Sequence, residues 1–338
     1  MSKRPLKLAR YRQAAQKAAD WLESKQQANG AIDRRGGLAS AYKTTFALVT
    51  AGRLPAAWRL LDYVAQHYMT EPGEFHNADE SEWDKATTLY RNGYILKAAI
   101  RLGRFDIASE AALKRCLQYQ HRSGGFLSGL SRTVRNRIDP LHTAMGGWLC
   151  LYWAKTDRAV RAGDFLVNLI ENQPAMPDRF YFKTDARTGR CITEHPEGQS
   201  IGCYADRQRS KQHFFYAGAI MGYLSDLYRA TQRRVYLNAA RKMYAFEQGM
   251  NPRGYAWPSK CKAGWGAALL YSVTLDAAHR RMAEKVADVT FVKAQHADGS
   301  WDPFDFPIYD DGRGRRLSNV EITAEFTFEL CEMAKALR

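Results

Sequence analysis

Apolar residues recur at three- and four-residue spacing in six segments of the chain. They are "YRQAAQKAADWL" (11–22), "AWRLLDYVAQHY" (57–68), "ASEAALKRCLQY" (108–119), "AVRAGDFLVNLI" (159–170), "YLNAARKMYAFE" (236–247) and "AHRRMAEKVADVTF" (278–291). That spacing predicts amphipathic helices, and their Arg, Lys and Gln content suits an outer, solvent-facing layer. Between them stand six segments that are apolar nearly all round: "ASAYKTTFALVTA" (39–51), "TTLYRNGYILKAAI" (87–100), "LHTAMGGWLCLYWA" (141–154), "KQHFFYAGAIMGYL" (211–224), "CKAGWGAALLYSV" (261–273) and "VEITAEFTFELCEM" (320–333). A helix without a polar face is buried. The chain therefore reads as twelve helices, alternately amphipathic and buried, with about 56 residues to each pair.

The connections are unequal. A buried helix passes to the next amphipathic one through a tight link, such as "GRLP", "GRFD", "KTDR" or "TQRR". The return connections are longer, over 28–37, 70–84, 122–138, 173–207, 250–259 and 296–317. Tight turns thus gather on one face and long loops on the other, and long loops on a rigid scaffold are where function concentrates. Within the longest, "RFYFKTDARTGRCITE" presents two β-like runs around a Thr188-Gly189 turn, which predicts a small hairpin.

Alternating helices with one-sided loops resemble the (α/α)6 toroid, an all-α double ring, over the whole chain. The terpenoid cyclase and prenyltransferase-like superfamily, the six-hairpin glycosidases, the sugar 2-epimerases and several polysaccharide lyases share that architecture. "QHADGSW" is similar to the Gln-x-x-x-Gly-x-Trp repeat of the terpenoid cyclases, through Gln295, Gly299 and Trp301. "QQANGAI" (Gln26, Gly30) and "YQHRSGGF" (Gln120, Gly125, Phe126) are looser echoes. The resemblance implies one toroid over 1–338, with a pocket where the inner helices begin. For Trp301 and Phe304 the first expectation is packing, with ligand contact second.

Composition narrows the chemistry. No apolar run of about 18 residues or more exists, so no membrane-crossing helix is expected. The basic start "MSKRPLKLARYRQAAQ" lacks an apolar signal core, which points to the cytoplasm. Six scattered cysteines without a CxxC pair predict reduced thiols and no zinc site, although Cys191 and Cys203 bracket the longest loop. A net charge of +15 favours anionic partners: a small anionic substrate, or one presented on an acidic carrier protein. Nucleic acid is set aside, because one-sided long loops argue for a closed ring with a pocket. The Asp-rich motifs of cation-initiating cyclases and metal-dependent terpene synthases are absent, as are a Walker loop, a dinucleotide GxGxxG and HExxH. Neither metal nor cofactor is expected.

Polar residues at the starts of buried helices would line the pocket of such a toroid. The candidate catalytic residues are His142, His213, Tyr42, Tyr90, Asp84 and Glu321. The histidines would serve as acid or base, the tyrosines as acids beside cations or as bases if their pKa falls, and Asp84 or Glu321 as carboxyl acids; Glu321 and Glu325, four apart on one helix face, could equally counter the pocket's cations or bridge to Lys260 or Lys262. The candidate substrate-binding residues are Lys43, Arg91, Asn92, Gln212, Lys262, Glu325, Trp265 and Trp301. Loop arginines 132, 135, 137, 207 and 209 could hold an anionic end. Three functions follow. The first is a cofactor-independent lyase, isomerase or cyclase acting on an anionic or carrier-bound substrate with an apolar or ring body. The second is a carbohydrate-active enzyme, with Asp84 and Glu321 or Glu325 as its carboxyl pair. The third is a non-enzymatic helical binding scaffold.

Overall fold

The structure, a computed structural model, describes residues 3–33, 37–131 and 135–338. Six buried helices form an inner ring: Gly37–Thr50, Thr88–Arg101, Pro140–Tyr152, Phe215–Thr231, Cys261–Thr274 and Asn319–Ala336. Each packs on the next, and the sixth returns to the first, so the ring is closed. Six further helices lie outside: Lys3–Ser24, Leu54–Tyr68, Glu110–Leu117, Thr156–Glu171, Arg234–Gln248 and Ala277–Val286, the last continued as a π-helix over Ala287–Val292. Lys3–Ser24 packs on both the sixth and the first inner helices, so the two ends of the sequence close the double ring. The fourth and fifth inner helices approach most closely at Gly218 and Gly266, where a Cβ would strike the facing backbone.

The five tight links each contain one left-handed residue. These are Gly52, Gly103, Ala154, Gln232 and Leu275, with φ between 54° and 81°. A left-handed residue after a helix ends it and turns the chain back. Glycine takes that conformation freely, whereas Leu275 does so at a cost and lies 74% exposed.

The three Gln-x-x-x-Gly stretches are one repeated brace. The Gln295 side-chain amide donates to the carbonyls of Gly299 and Ala14, each at 2.9 Å. Gln26 donates to Gly30 and Ala56, at 3.1 and 2.9 Å. Gln120 donates to Gly124 and Arg158, at 3.1 and 2.9 Å. Each glutamine thus ties the end of one outer helix to the next outer helix. In the third copy the glycine is Gly124 rather than Gly125, because the positive φ (+97°) falls there, as at Gly30 and Gly299. The last position sits on the inner ring: the backbone N–H of Trp301 donates to Thr323, and that of Phe126 to Thr143.

Among the described residues, the long connections hold four two-stranded antiparallel sheets. Met69–Glu71 pairs with Glu74–Phe75, Arg137–Ile138 with Thr184–Asp185, Arg179–Tyr181 with Tyr204–Asp206, and Phe304–Pro307 with Gly314–Leu317. The hairpin expected around Thr188-Gly189 is present as a turn, with Gly189 at φ 72° and a Thr184–Cys191 bridge. Its longer runs pair elsewhere, on residues 137–138 and 204–206. Among the described residues, no helix is long and apolar enough to cross a membrane.

Candidate active site

A cavity of about 610 Å³ opens where the inner helices begin, roofed by the long loops. Aromatic and aliphatic side chains make much of its wall, among them Trp83, Leu141, Phe215, Tyr216, Phe304, Phe306 and Phe326. Two loops meet over it. The Asp310 carboxylate accepts from the Ser200 hydroxyl and from the backbone N–H groups of Ser200 and Ile201, clasping the 304–317 hairpin to the 196–202 segment.

On one wall stands His142, in the first turn of the third inner helix. Asp139 caps that helix by accepting from the His142 N–H at 2.9 Å, and Pro140 fixes the entry. The same carboxylate lies 2.7 Å from His142 Nδ1, and the Ser128 hydroxyl donates to it at 3.0 Å. Burial pushes the Asp139 carboxyl up, but His142 and Ser128 outweigh it and hold it below its ordinary value. A carboxylate only accepts, so Nδ1 carries a hydrogen, and in the neutral form of the ring Nε2 holds the lone pair. That Nε2 has no hydrogen-bond partner and is buried.

Along the floor runs an alternating chain of charges. Arg315 donates to Glu321 at 3.2 Å, and Lys43 reaches Glu321 at 3.4 Å and Glu325 at 2.5 Å. Lys262 bonds Glu325 and, at 3.0 Å, Glu329. Tyr42 donates to Glu321 at 2.8 Å. Three carboxylates thus meet three cations, and the ladder is balanced. Cys261, Glu325 and Glu329 place ligand atoms within 4.8 Å of one another. Burial pushes the Cys261 thiol far up, away from a thiolate, and Lys262 already occupies both carboxylates, so an ion there would have to displace it.

The other predicted residues fall into two groups. Tyr42, Lys43, Tyr90, His142, His213, Lys262, Glu321 and Glu325 all line the cavity. Burial pushes the Tyr42 and Tyr90 phenols up, so both are donors and neither is a base. His213 Nε2 lies 2.8 Å from the Pro307 carbonyl, and its ring stacks on Phe306. Burial lowers its pKa to about 4, which makes it neutral and a weak base.

The second group does not reach the cavity. Asp84 closes a capping box with Ser81 on the short helix Glu82–Lys85. Arg91 is buried against Glu80 at 2.6 Å, and Asn92 donates to Glu74. Gln212 is spent on backbone groups of Asp206 and Arg209, because the fourth inner helix starts only at Phe215. Trp265 stacks on Trp148 inside the ring, and Trp301 packs on Phe326 while donating to the Phe291 carbonyl. Of the loop arginines only Arg137 lines the cavity, and Arg132 lies outside the described residues. Cys191 and Cys203 are both free.

Sequence reasoning missed Asp139 and Lys183. Asp139 was legible as an Asp-Pro helix start three residues before a histidine. Lys183 had no signal beyond its place in the longest loop. Lys183 and Arg137 both line the cavity, and neither forms an ion pair among the described residues.

No protein-family model and no curated protein matches the sequence. Solved structures do. The GH76A α-1,6-mannanase from Salegentibacter sp. HEL1_6 aligns over 97% of this chain and 100% of its own, with a TM-score of 0.66 and 11% identity. A type II terpene cyclase, MstE, from Scytonema aligns over 98% and 99%, with a TM-score of 0.61 and 13% identity. The GH76 α-mannanase BT2949 from Bacteroides thetaiotaomicron aligns over 95% of both chains, with a TM-score of 0.58 and 12% identity. The chain has the (α/α)6 toroid fold. At these identities the likeness is one of architecture, and it spans both the glycosidase and the terpenoid cyclase sides of that fold.

Proposed function

We propose that this toroid is an enzyme that moves a proton on a small anionic substrate with an apolar or ring body. The observation that carries the reading is the Asp139–His142 pair on the wall of an aromatic cavity. Asp139 fixes the ring and would stabilise the imidazolium that forms as Nε2 takes a proton. The floor lysines are neutralised by Glu321, Glu325 and Glu329, so they add little net attraction for an anion. Arg137 and Lys183 are the cavity cations left to hold a carboxylate or phosphate and the negative charge that develops beside it. Lyases and isomerases that abstract a proton beside an anionic group begin with such a step, and the protonated imidazole could in turn supply the proton that starts a cyclisation. The Scytonema cyclase was captured with geranylgeranyl dihydroxybenzoate, an acidic head on an apolar chain, and this chain's cavity offers both environments.

A glycoside hydrolase is the second reading, favoured by the mannanase likeness. It requires two carboxyl groups facing one sugar bond. A mannanase of this fold was inactivated by replacing two adjacent aspartates. The adjacent aspartates of this chain, Asp310 and Asp311, hold the Ser200 clasp and Arg313 instead. The proton-transfer reading therefore has the better-equipped residues.

Solvent exchange tests it without the full reaction. The protein is incubated in D₂O with aromatic and isoprenoid carboxylates, and deuterium uptake is followed by mass spectrometry. His142→Gln should abolish any uptake the native protein catalyses. Uptake undiminished in that variant would remove His142 as the base.

A further inference from the structure

Residues 183–194 form a partition. Lys183, Ile192 and Glu194 line the main cavity. Thr184, Cys191 and Thr193 line a second one of about 360 Å³ on the other side. The alternation is that of extended chain, in which successive side chains point to opposite faces. Thr184 and Cys191 are antiparallel bridge partners, so they stand side by side on the second face.

The second cavity has the make-up of a binding site. Its apolar wall is Phe165 and Leu169, from the fourth outer helix. Thr184 is only 3% exposed, and its hydroxyl is buried without a hydrogen-bond partner. An unpaired buried hydroxyl is destabilising, and a hydrogen bond from a ligand atom would offset that cost. Arg190 is the one charged residue among those lining the cavity, and it makes no ion pair among the described residues. The outer helix ends at Glu171 and brings partial negative charge, equivalent to about half an elementary charge. The full charge of Arg190 outweighs it.

From this geometry we infer a second ligand site, separate from the proton-transfer site and independent of that reading. Its ligand is a small carboxylate with an aromatic or apolar body. The guanidinium of Arg190 takes the carboxylate, Thr184 supplies a hydroxyl hydrogen bond, and the body lies on Phe165 and Leu169. Occupancy would brace the same short segment that carries Lys183 and Ile192 into the main cavity.

Cys191 reports on the site directly. The full chain is treated with iodoacetamide in the presence of benzoate, and alkylation of Cys191 is read by peptide mass spectrometry against Cys331, which also is partly exposed. Benzoate should slow alkylation of Cys191 and leave Cys331 unchanged. Arg190→Gln should raise the benzoate concentration needed about tenfold. Lys183→Gln, on the opposite face, should leave it unchanged. Three results would each overturn the site. One is no protection by benzoate. Another is equal protection by benzamide, which lacks the carboxylate. The third is protection weakened by Lys183→Gln but not by Arg190→Gln, which would put the benzoate in the main cavity.

Discussion

Lys97 offers a test of the ring interior that needs no substrate. It lies on the second inner helix, 3% exposed, with its ammonium near the rings of Phe46, Tyr94, Trp148 and Tyr152 at 4.4–5.5 Å. Burial, aided by Arg101, pulls its pKa from 10.5 down to about 7. At about 1.4 kcal/mol per pH unit, holding the amine there costs the folded chain on the order of 4–5 kcal/mol at neutral pH. The aromatic rings return part of that, at about 0.5–2 kcal/mol for a desolvated cation–π contact. Lys97→Met keeps the length and apolar stem, and should stabilise the fold by about 2–4 kcal/mol at pH 7. The sign of the pH dependence follows from the depressed folded value. The unfolded chain binds the proton more tightly, so native stability rises as pH climbs from about 7 to 10.5. The advantage of the variant is therefore full below pH 7, shrinks across that window and vanishes above it. Urea unfolding of both proteins at pH 6 and pH 9.5 measures the difference. A difference that does not change with pH, or a variant less stable at pH 6, would refute the assignment.

Further outcomes follow from the same structure. Glu325→Gln leaves Lys43 and Lys262 facing each other over a neutral amide, and should cost about 3–5 kcal/mol in urea unfolding; replacing Glu325 and Lys262 together with Gln and Met should cost less than Glu325→Gln alone. Gln295→Ala removes two part-buried hydrogen bonds, one to the first outer helix at Ala14 and one within the turn at Gly299, with an expected loss of about 1–3 kcal/mol. Leu275→Gly relieves a left-handed, exposed leucine and should gain roughly 0.5–1 kcal/mol; a loss would show that the side chain holds the turn. Asp139→Asn should lower any His142-dependent deuterium uptake by about 10²–10⁴ while leaving the far-ultraviolet circular dichroism unchanged. Because Asp139 is held below its ordinary value, its contribution to stability is present at neutral pH and is lost only as acid protonates it, so the two proteins should converge in stability at low pH.

The architecture was legible because burial writes itself into periodicity. Leu54–Tyr68 and Thr156–Glu171 carry apolar stripes with polar backs, whereas Cys261–Thr274 has no polar back, and that contrast sorted outer from inner helices. Strand pairing was less legible. "RFYFKTDARTGRCITE" signals extended chain, but partner choice depends on where residues 137–138 and 204–206 arrive, and local sequence holds no record of that. The fourth inner helix shows a related limit. "KQHFFYAG" carries helix-like spacing through Gln212, yet that side chain satisfies three backbone groups of the 206–209 turn and keeps the chain out of the helix.

The candidate site was legible in its parts and only partly in its charge balance: a carboxylate paired with Lys262 is one reading of the sequence, and Glu325 makes that pair. Lys43, Lys262, Glu321 and Glu325 were each readable as polar intrusions on apolar helices, which a buried helix does not tolerate without partners. Read singly, the lysines promised an anion-binding floor. In three dimensions each meets a carboxylate from the sixth inner helix, which packs on the first and fifth by closing the ring. Residues 43 and 325 are far apart in sequence and adjacent only because the ring closes. The positive potential is thereby moved off the floor to Arg137 and Lys183, on loop strands whose placement the periodicity does not encode. His142 gains its partner from the opposite kind of signal, a helix cap three residues away. The Asp139–His142 pair is thus local in sequence, whereas the charge balance of the floor is a product of closure.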